Sequence, residues 1–179
     1  MKVLCFGDSN TYGYDPCDVF GGRYPARCRW VDLLGEDTVN AGQNGREIPG
    51  TTGEMIRLLD IHRPDLLIIM LGTNDLLQGN SAEDVSVRME RFLADIPFER
   101  SRILLVSPPV MKRGAWVPTD ALVDRSGKLS ALYQESALRL GIRFADAGKL
   151  PLAFDGVHLT EEGHVLLAGK IRSWMGGQV

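Results

Sequence analysis

A serine, two turns rich in glycine and asparagine, and an acidic residue three places before a histidine give this chain the parts needed to cleave an acyl bond. Ser9 follows an apolar run and Gly7, which permits a sharp turn that lifts the hydroxyl out of its strand. A hydroxyl nucleophile needs a base to take its proton, an acid to orient and charge-stabilise that base, and donors aimed at the oxyanion. His158 can be the base. In Asp155-Gly156-Val157-His158 the carboxylate of Asp155 can reach the imidazole Nδ1 hydrogen while Nε2 faces the serine. Asn74, in Gly72-Thr73-Asn74-Asp75, carries an amide that can donate to a developing negative charge, and Gly42 and Gly45 let backbone N–H groups approach a ligand closely.

Each of these residues also has a plain structural reading. Serine between a strand and a helix is a common helix cap, Asp-Gly and Asn suit surface turns, and glycines serve turn geometry without any ligand. His62, beside Arg63 and Pro64, reads as a cation at a helix end. His164 is the rival base and Asp146 the rival acid, whereas Asp8 and Asp75 suit turns and caps. Tyr12, Tyr14 and Trp116 are candidates to wall a small substrate pocket, with Asp8 beside the nucleophile as a further candidate.

The elements that must position these residues follow from the apolar pattern. Short apolar or β-branched runs at 2–6, 38–40, 66–71, 103–106 and 142–145 predict five strands. Between them, apolar residues recur at helical spacing around Trp30, Met55, Val85 to Ile96, and Leu129 to Leu140. A last helix is expected after Thr160, which caps it, with Glu161 and Glu162 in the first turn and Val165, Leu166 and Ile171 facing inward. Continuous apolar strands alternating with helices predict a parallel sheet covered on both faces. The expected fold class is α/β: a three-layer α/β/α sandwich on a five-stranded parallel sheet, flavodoxin-like, with strand order 2-1-3-4-5. In such sheets ligands bind beyond the carboxyl ends of the strands, where the polar segments above fall. The stretch from Ser107 to about Asp124, with three prolines, reads as one long rigid surface loop.

With 179 residues, 44% of them apolar, the chain is expected to form a single domain over 1–179 that needs no disulfide or structural metal. A net charge of −3 without a Lys or Arg run argues against nucleic acid as a partner. The longest apolar stretch, 66–71, is too short to cross a bilayer, and 2–6 is too brief for a signal peptide, so no membrane partner and a cytoplasmic location are expected. Cys5, Cys17 and Cys28 form no Cys-x-x-Cys pair and read as buried or incidental thiols. A homo-oligomer is compatible with all of this.

Taken together, these segments resemble the SGNH hydrolases, also called GDSL esterases and lipases. Gly7-Asp8-Ser9 matches the family's first block, Gly72-Thr73-Asn74-Asp75 the third, and Asp155-Gly156-Val157-His158 the last. The second block pairs an Asn with a Gly five residues later, which Asn40 and Gly45 fit, with Gly42 as the alternative. Ser107-Pro108-Pro109 and Asp146-Ala147-Gly148 look like the arylesterase branch. The departure is Asn10, where the family name expects Leu.

The resemblance implies Ser9 as nucleophile, His158 as general base and then acid, and Asp155 as the residue that orients it. It implies an oxyanion hole from the amides of Ser9 and Gly45 and the side chain of Asn74. The expected substrates are short-acyl esters of aryl, alkyl or sugar alcohols, and the chemistry requires no metal or organic cofactor. No extended apolar lid segment is evident, which disfavours a lipase acting at an oil interface. A thioesterase, a lysophospholipase or a carbohydrate deacetylase would use the same residues. From another class, a phosphoacceptor receiver or a flavin-binding module would suit the fold, but no Lys directly follows the strand ending near Val106, and the site residues favour acyl transfer.

Overall fold

The computed structural model describes residues 1–18 and 20–176. Five strands, β1 (Val3–Gly7), β2 (Thr38–Gly42), β3 (Leu66–Met70), β4 (Ile103–Ser107) and β5 (Arg143–Asp146), pair in parallel in the order β2-β1-β3-β4-β5. The strand order is the expected one. The three central strands are buried along their whole length because nearly every residue in them is apolar, as a sheet covered on both faces requires. The two edge strands are only partly buried.

Alternation along the strands divides the core in two. Leu4, Phe6, Leu67, Ile69 and Leu105 face one layer, formed by α3 (Gly53–His62), α5 (Ala82–Ala94) and α6 (Asp120–Leu140). Val3, Cys5, Ile68, Leu104 and Val106 face the other, formed by α2 (Trp30–Leu33) and α7 (Glu161–Gly176). Each fully buried aliphatic side chain contributes roughly 1.5–3 kcal/mol. These three layers are the expected α/β/α sandwich. Two short helices, α1 (Ser9–Tyr12) and α4 (Thr73–Leu77), follow β1 and β3 and carry candidate site residues on the carboxyl edge of the sheet.

Two expectations are corrected. Thr160 does cap α7, its Oγ1 accepting the Gly163 N–H at 3.1 Å, but the buried face of that helix is His164, Leu167, Ala168 and Ile171. Val165 and Leu166 are about half exposed, because the three- and four-residue steps that bury 164, 167, 168 and 171 turn 165 and 166 outward. The irregular stretch after β4 ends at Thr119, since 120–124 already belong to α6. It is not purely a surface loop either: Met111 and Val117 are buried in the core.

Candidate active site

Strand β1 stops at Gly7 and the chain turns directly into α1. Asp8 is the cap of that helix, its Oδ1 accepting the Asn10 N–H at 2.9 Å. The cap is therefore supplied by the neighbour of Ser9, and the Ser9 hydroxyl is engaged elsewhere: its Oγ lies 2.9 Å from His158 Nε2. On the other side of the ring, His158 Nδ1 lies 2.7 Å from Asp155 Oδ2. All three side chains are at least 94% buried.

The carboxylate is well held. Its Oδ1 accepts the backbone N–H groups of Val157 and His158 at 2.9 and 3.0 Å. Burial alone would push the Asp155 carboxyl up, but the imidazole and these two N–H groups together bring it below its ordinary value. Asp155 is thus an anion at neutral pH, able to stabilise a positive charge on the ring beside it. The rings of Tyr14 and Trp116 pack on the imidazole with centroids at 4.7 and 5.1 Å, shielding it from bulk water.

A cleft of about 250 Å³ opens over this relay, lined by Tyr14, Asn44, Gly45, Asn74 and Trp116 beside Ser9 and His158. Gly45 has φ +73°, a left-handed conformation that favours glycine. Gly42, the alternative, is the last residue of β2 and its N–H is already taken by Asn40 Oδ1 at 2.9 Å. Asn74 Nδ2 donates to the Arg46 carbonyl at 3.0 Å, which orients the amide and uses one of its two hydrogens. Among the described residues no three His, Cys, Asp or Glu side chains converge on a metal-binding arrangement.

A family model described as the GDSL-like lipase/acylhydrolase family matches residues 5–166. The chain belongs to that family. It is a carboxylic ester hydrolase. An arylesterase from Vibrio mimicus is 25% identical over 176 residues, covering 93% of this chain and 84% of that protein. Among solved structures, a carbohydrate acetylesterase family member from Sinorhizobium meliloti is 29% identical with a TM-score of 0.81, covering 98% of this chain and 97% of the other. The aryl esterase of M. smegmatis is 25% identical with a TM-score of 0.81, and 99% of each chain is covered.

Within this GDSL-type scaffold, Ser9, His158, Gly45, Asn74 and Trp116 come together at one cleft, with Asp155 behind the His158 ring. Asp8 and Tyr12, also expected at the pocket, do not line it. Asp8 is 1% exposed beneath the turn, its Oδ2 has no hydrogen-bond partner among the described residues, and burial pushes its carboxyl up to about 6. Tyr12 lies under the Arg23 guanidinium, 4.3 Å from its ring centroid, so Tyr14 is the tyrosine of the cleft.

The rivals are occupied elsewhere. His164 is completely buried in the seam of α7, both ring nitrogens lack hydrogen-bond partners among the described residues, and burial lowers it to about 3. Asp146 accepts from Ser107 Oγ at 2.7 Å. Asp75, expected to serve a turn or cap, is fully buried and bound to Arg88 and the Ile48 N–H. His62 closes the last turn of α3, where a structural cation was expected.

Sequence reasoning gave no role to Arg46 or Asn44. The Arg46 side chain is 8% exposed, lies 4.1 Å from the Phe6 ring centroid, and donates to the carbonyls of Gly7 and Ala41. It ties the ends of β1 and β2 together just where Ser9 and Gly45 follow. A lone arginine in a Gly- and Asn-rich turn after a strand was the only available signal.

Proposed function

We propose that Ser9, His158 and Asp155 form a catalytic triad that hydrolyses short-acyl esters through an acyl-enzyme. Ser9 Oγ attacks the ester carbonyl carbon while His158 Nε2 takes its proton, and Asp155 stabilises the resulting imidazolium. The carbonyl oxygen, now negative, is held by the N–H groups of Ser9 and Gly45 and by the free amide hydrogen of Asn74. As the tetrahedral carbon collapses, the C–O bond to the alcohol breaks and His158 returns its proton to that oxygen. A water then gives a proton to His158 and its oxygen to the acyl carbon, the bond from that carbon to Ser9 Oγ breaks, and His158 returns the proton to Oγ as the acid leaves.

The observation that carries this reading is the unbroken line from Ser9 Oγ through both imidazole nitrogens to Asp155 Oδ2, at 2.9 and 2.7 Å, which joins Ser9 to a histidine 149 positions away. The size of the cleft supports small acyl groups. About 250 Å³ lies below the usual range of roughly 300–1,000 Å³ for sites that enclose drug-sized ligands. The aromatic walls suit an aryl or sugar leaving group, in keeping with the arylesterase and carbohydrate acetylesterase among the relatives.

A panel of nitrophenyl and acetylated-sugar esters of increasing acyl length, run beside Ser9→Ala, tests the proposal. Turnover is expected to be highest for acetyl to butyryl groups and to vanish in Ser9→Ala. Preference for acyl chains of eight or more carbons would contradict the substrate class, and activity surviving in Ser9→Ala would contradict the triad.

A further inference from the structure

Asn10 stands where the family name expects leucine, and it is 2% exposed. We infer that its side-chain amide clamps the His158 turn to the Ser9 turn, making Asn10 a positioning residue for proton transfer; the inference rests on the triad reading above. Asn10 Nδ2 donates to the Val157 carbonyl at 3.2 Å, and its Oδ1 accepts the Leu159 N–H at 2.9 Å. These are the backbone groups on either side of His158. The two partners also determine which way the amide points, since a flipped amide would set donor against donor and acceptor against acceptor.

The other polar groups of Asn10 are held as well. Its N–H goes to Asp8 and its carbonyl accepts from Trp30 Nε1 at 2.9 Å, so the side chain is presented from a fixed backbone. The Asp155–His158 unit has its own supports: Asp155 binds the N–H groups of 157 and 158, and the loop after β4 donates to it through Trp116 N–H to Asp155 O and Lys112 N–H to Gly156 O. Those bonds fix the imidazole to its carboxylate. They do not fix it to the serine. Among the described residues, besides the Ser9–His158 contact itself, it is Asn10 that joins the two turns by hydrogen bonds, from the residue directly after the nucleophile.

The clamp therefore controls the Ser9 Oγ to Nε2 distance and leaves the Asp155–His158 bond alone. Its loss should slow acylation without altering the pH at which the base works. Asn10→Leu removes both bonds at similar volume, and Asn10→Ser keeps the site polar but is too short to span the gap. Acylation by p-nitrophenyl acetate in single turnover and the rate of Ser9 phosphonylation by a fluorophosphonate are the readouts, with circular dichroism to establish folding. Both variants are expected to lose about 10- to 100-fold in kcat and in phosphonylation rate, the scale of a misplacement near 1 Å. KM should stay within about twofold, and the pH of half-maximal kcat/KM should not move.

Either variant, folded, acylating within about twofold of wild type overturns the inference. So does a loss accompanied by a raised KM and a shifted pH midpoint, which would mean that the whole His158 turn had come apart. Should Asn10→Leu fail to fold, Asn10→Ser carries the test. Ser9→Ala inactive beside a fully active Asn10→Leu overturns the clamp alone, whereas Ser9→Ala active overturns the triad and the clamp with it.

Discussion

Replacing Asp155 by asparagine changes the relay at one atom and leaves its shape intact. Oδ1 of Asp155 accepts two backbone N–H groups, from Val157 and His158, so an amide placed there must keep its oxygen on that side. The amide NH₂ then falls at the Oδ2 position, 2.7 Å from His158 Nδ1. Two donors cannot share that contact, so Nδ1 must present its lone pair and the ring proton moves to Nε2, facing Ser9. In that tautomer the histidine has no lone pair with which to accept the serine proton. The expected loss in kcat is about 10⁴-fold, the scale of the same change in other serine triads, or roughly 5 kcal/mol of transition-state stabilisation. KM for p-nitrophenyl acetate should change little, because Asp155 does not line the cleft. The assay is steady-state kinetics on that ester with Ser9→Ala setting the background. Asp146→Asn, at the rival acid, should stay within about threefold of wild type. Asp155→Asn retaining more than a tenth of wild-type turnover, or Asp146→Asn losing it, would refute the assignment.

Asn74→Ala should lower kcat by about 10²- to 10³-fold with little change in KM, as loss of one oxyanion donor does, measured on the same ester. His164→Leu should remain active while His158→Ala should not. Because burial holds His164 far below its unfolded value, the unfolded state takes up the proton first on acidification. Wild type should therefore lose about 3 kcal/mol relative to His164→Leu between pH 7 and pH 4, read from urea unfolding. Asp8 has the opposite sign: its folded carboxyl is raised to about 6, so the stability it contributes is greatest in acid and is lost as pH rises through 6. Wild type should lose about 2 kcal/mol relative to Asp8→Asn on going from pH 4 to pH 7.

The fold was legible because its strands carry their information locally. Runs such as Leu-Leu-Ile-Ile-Met in β3 read as buried parallel strands whatever their neighbours. The polar blocks after β1 and β3 and before α7 were also legible, since a serine, an asparagine and an Asp-x-x-His set are conspicuous against turn geometry. Less visible was anything set by contacts between distant segments. Helical spacing indicated the right region for α7 but misjudged the inward face, because the seam includes a histidine, His164, in place of an apolar residue. Proline and glycine after β4 concealed Met111 and Val117, two buried residues inside an irregular stretch. Tyr12 and Tyr14 are equivalent on paper, and only the Arg23 stacking on Tyr12 and the packing of Tyr14 against His158 separate them. Asn10 and Arg46 bind backbone carbonyls and N–H groups of other segments, up to 149 positions away, for which no residue type leaves a sign in the sequence.

The most direct test of the nucleophile is covalent. One fluorophosphonate molecule should add per chain, peptide mass mapping should find it on the Ser9 hydroxyl, activity should fall in proportion, and Ser9→Ala should take up none. An adduct on any other residue that abolishes activity, or full activity in a chain fully labelled at Ser9, would contradict the account.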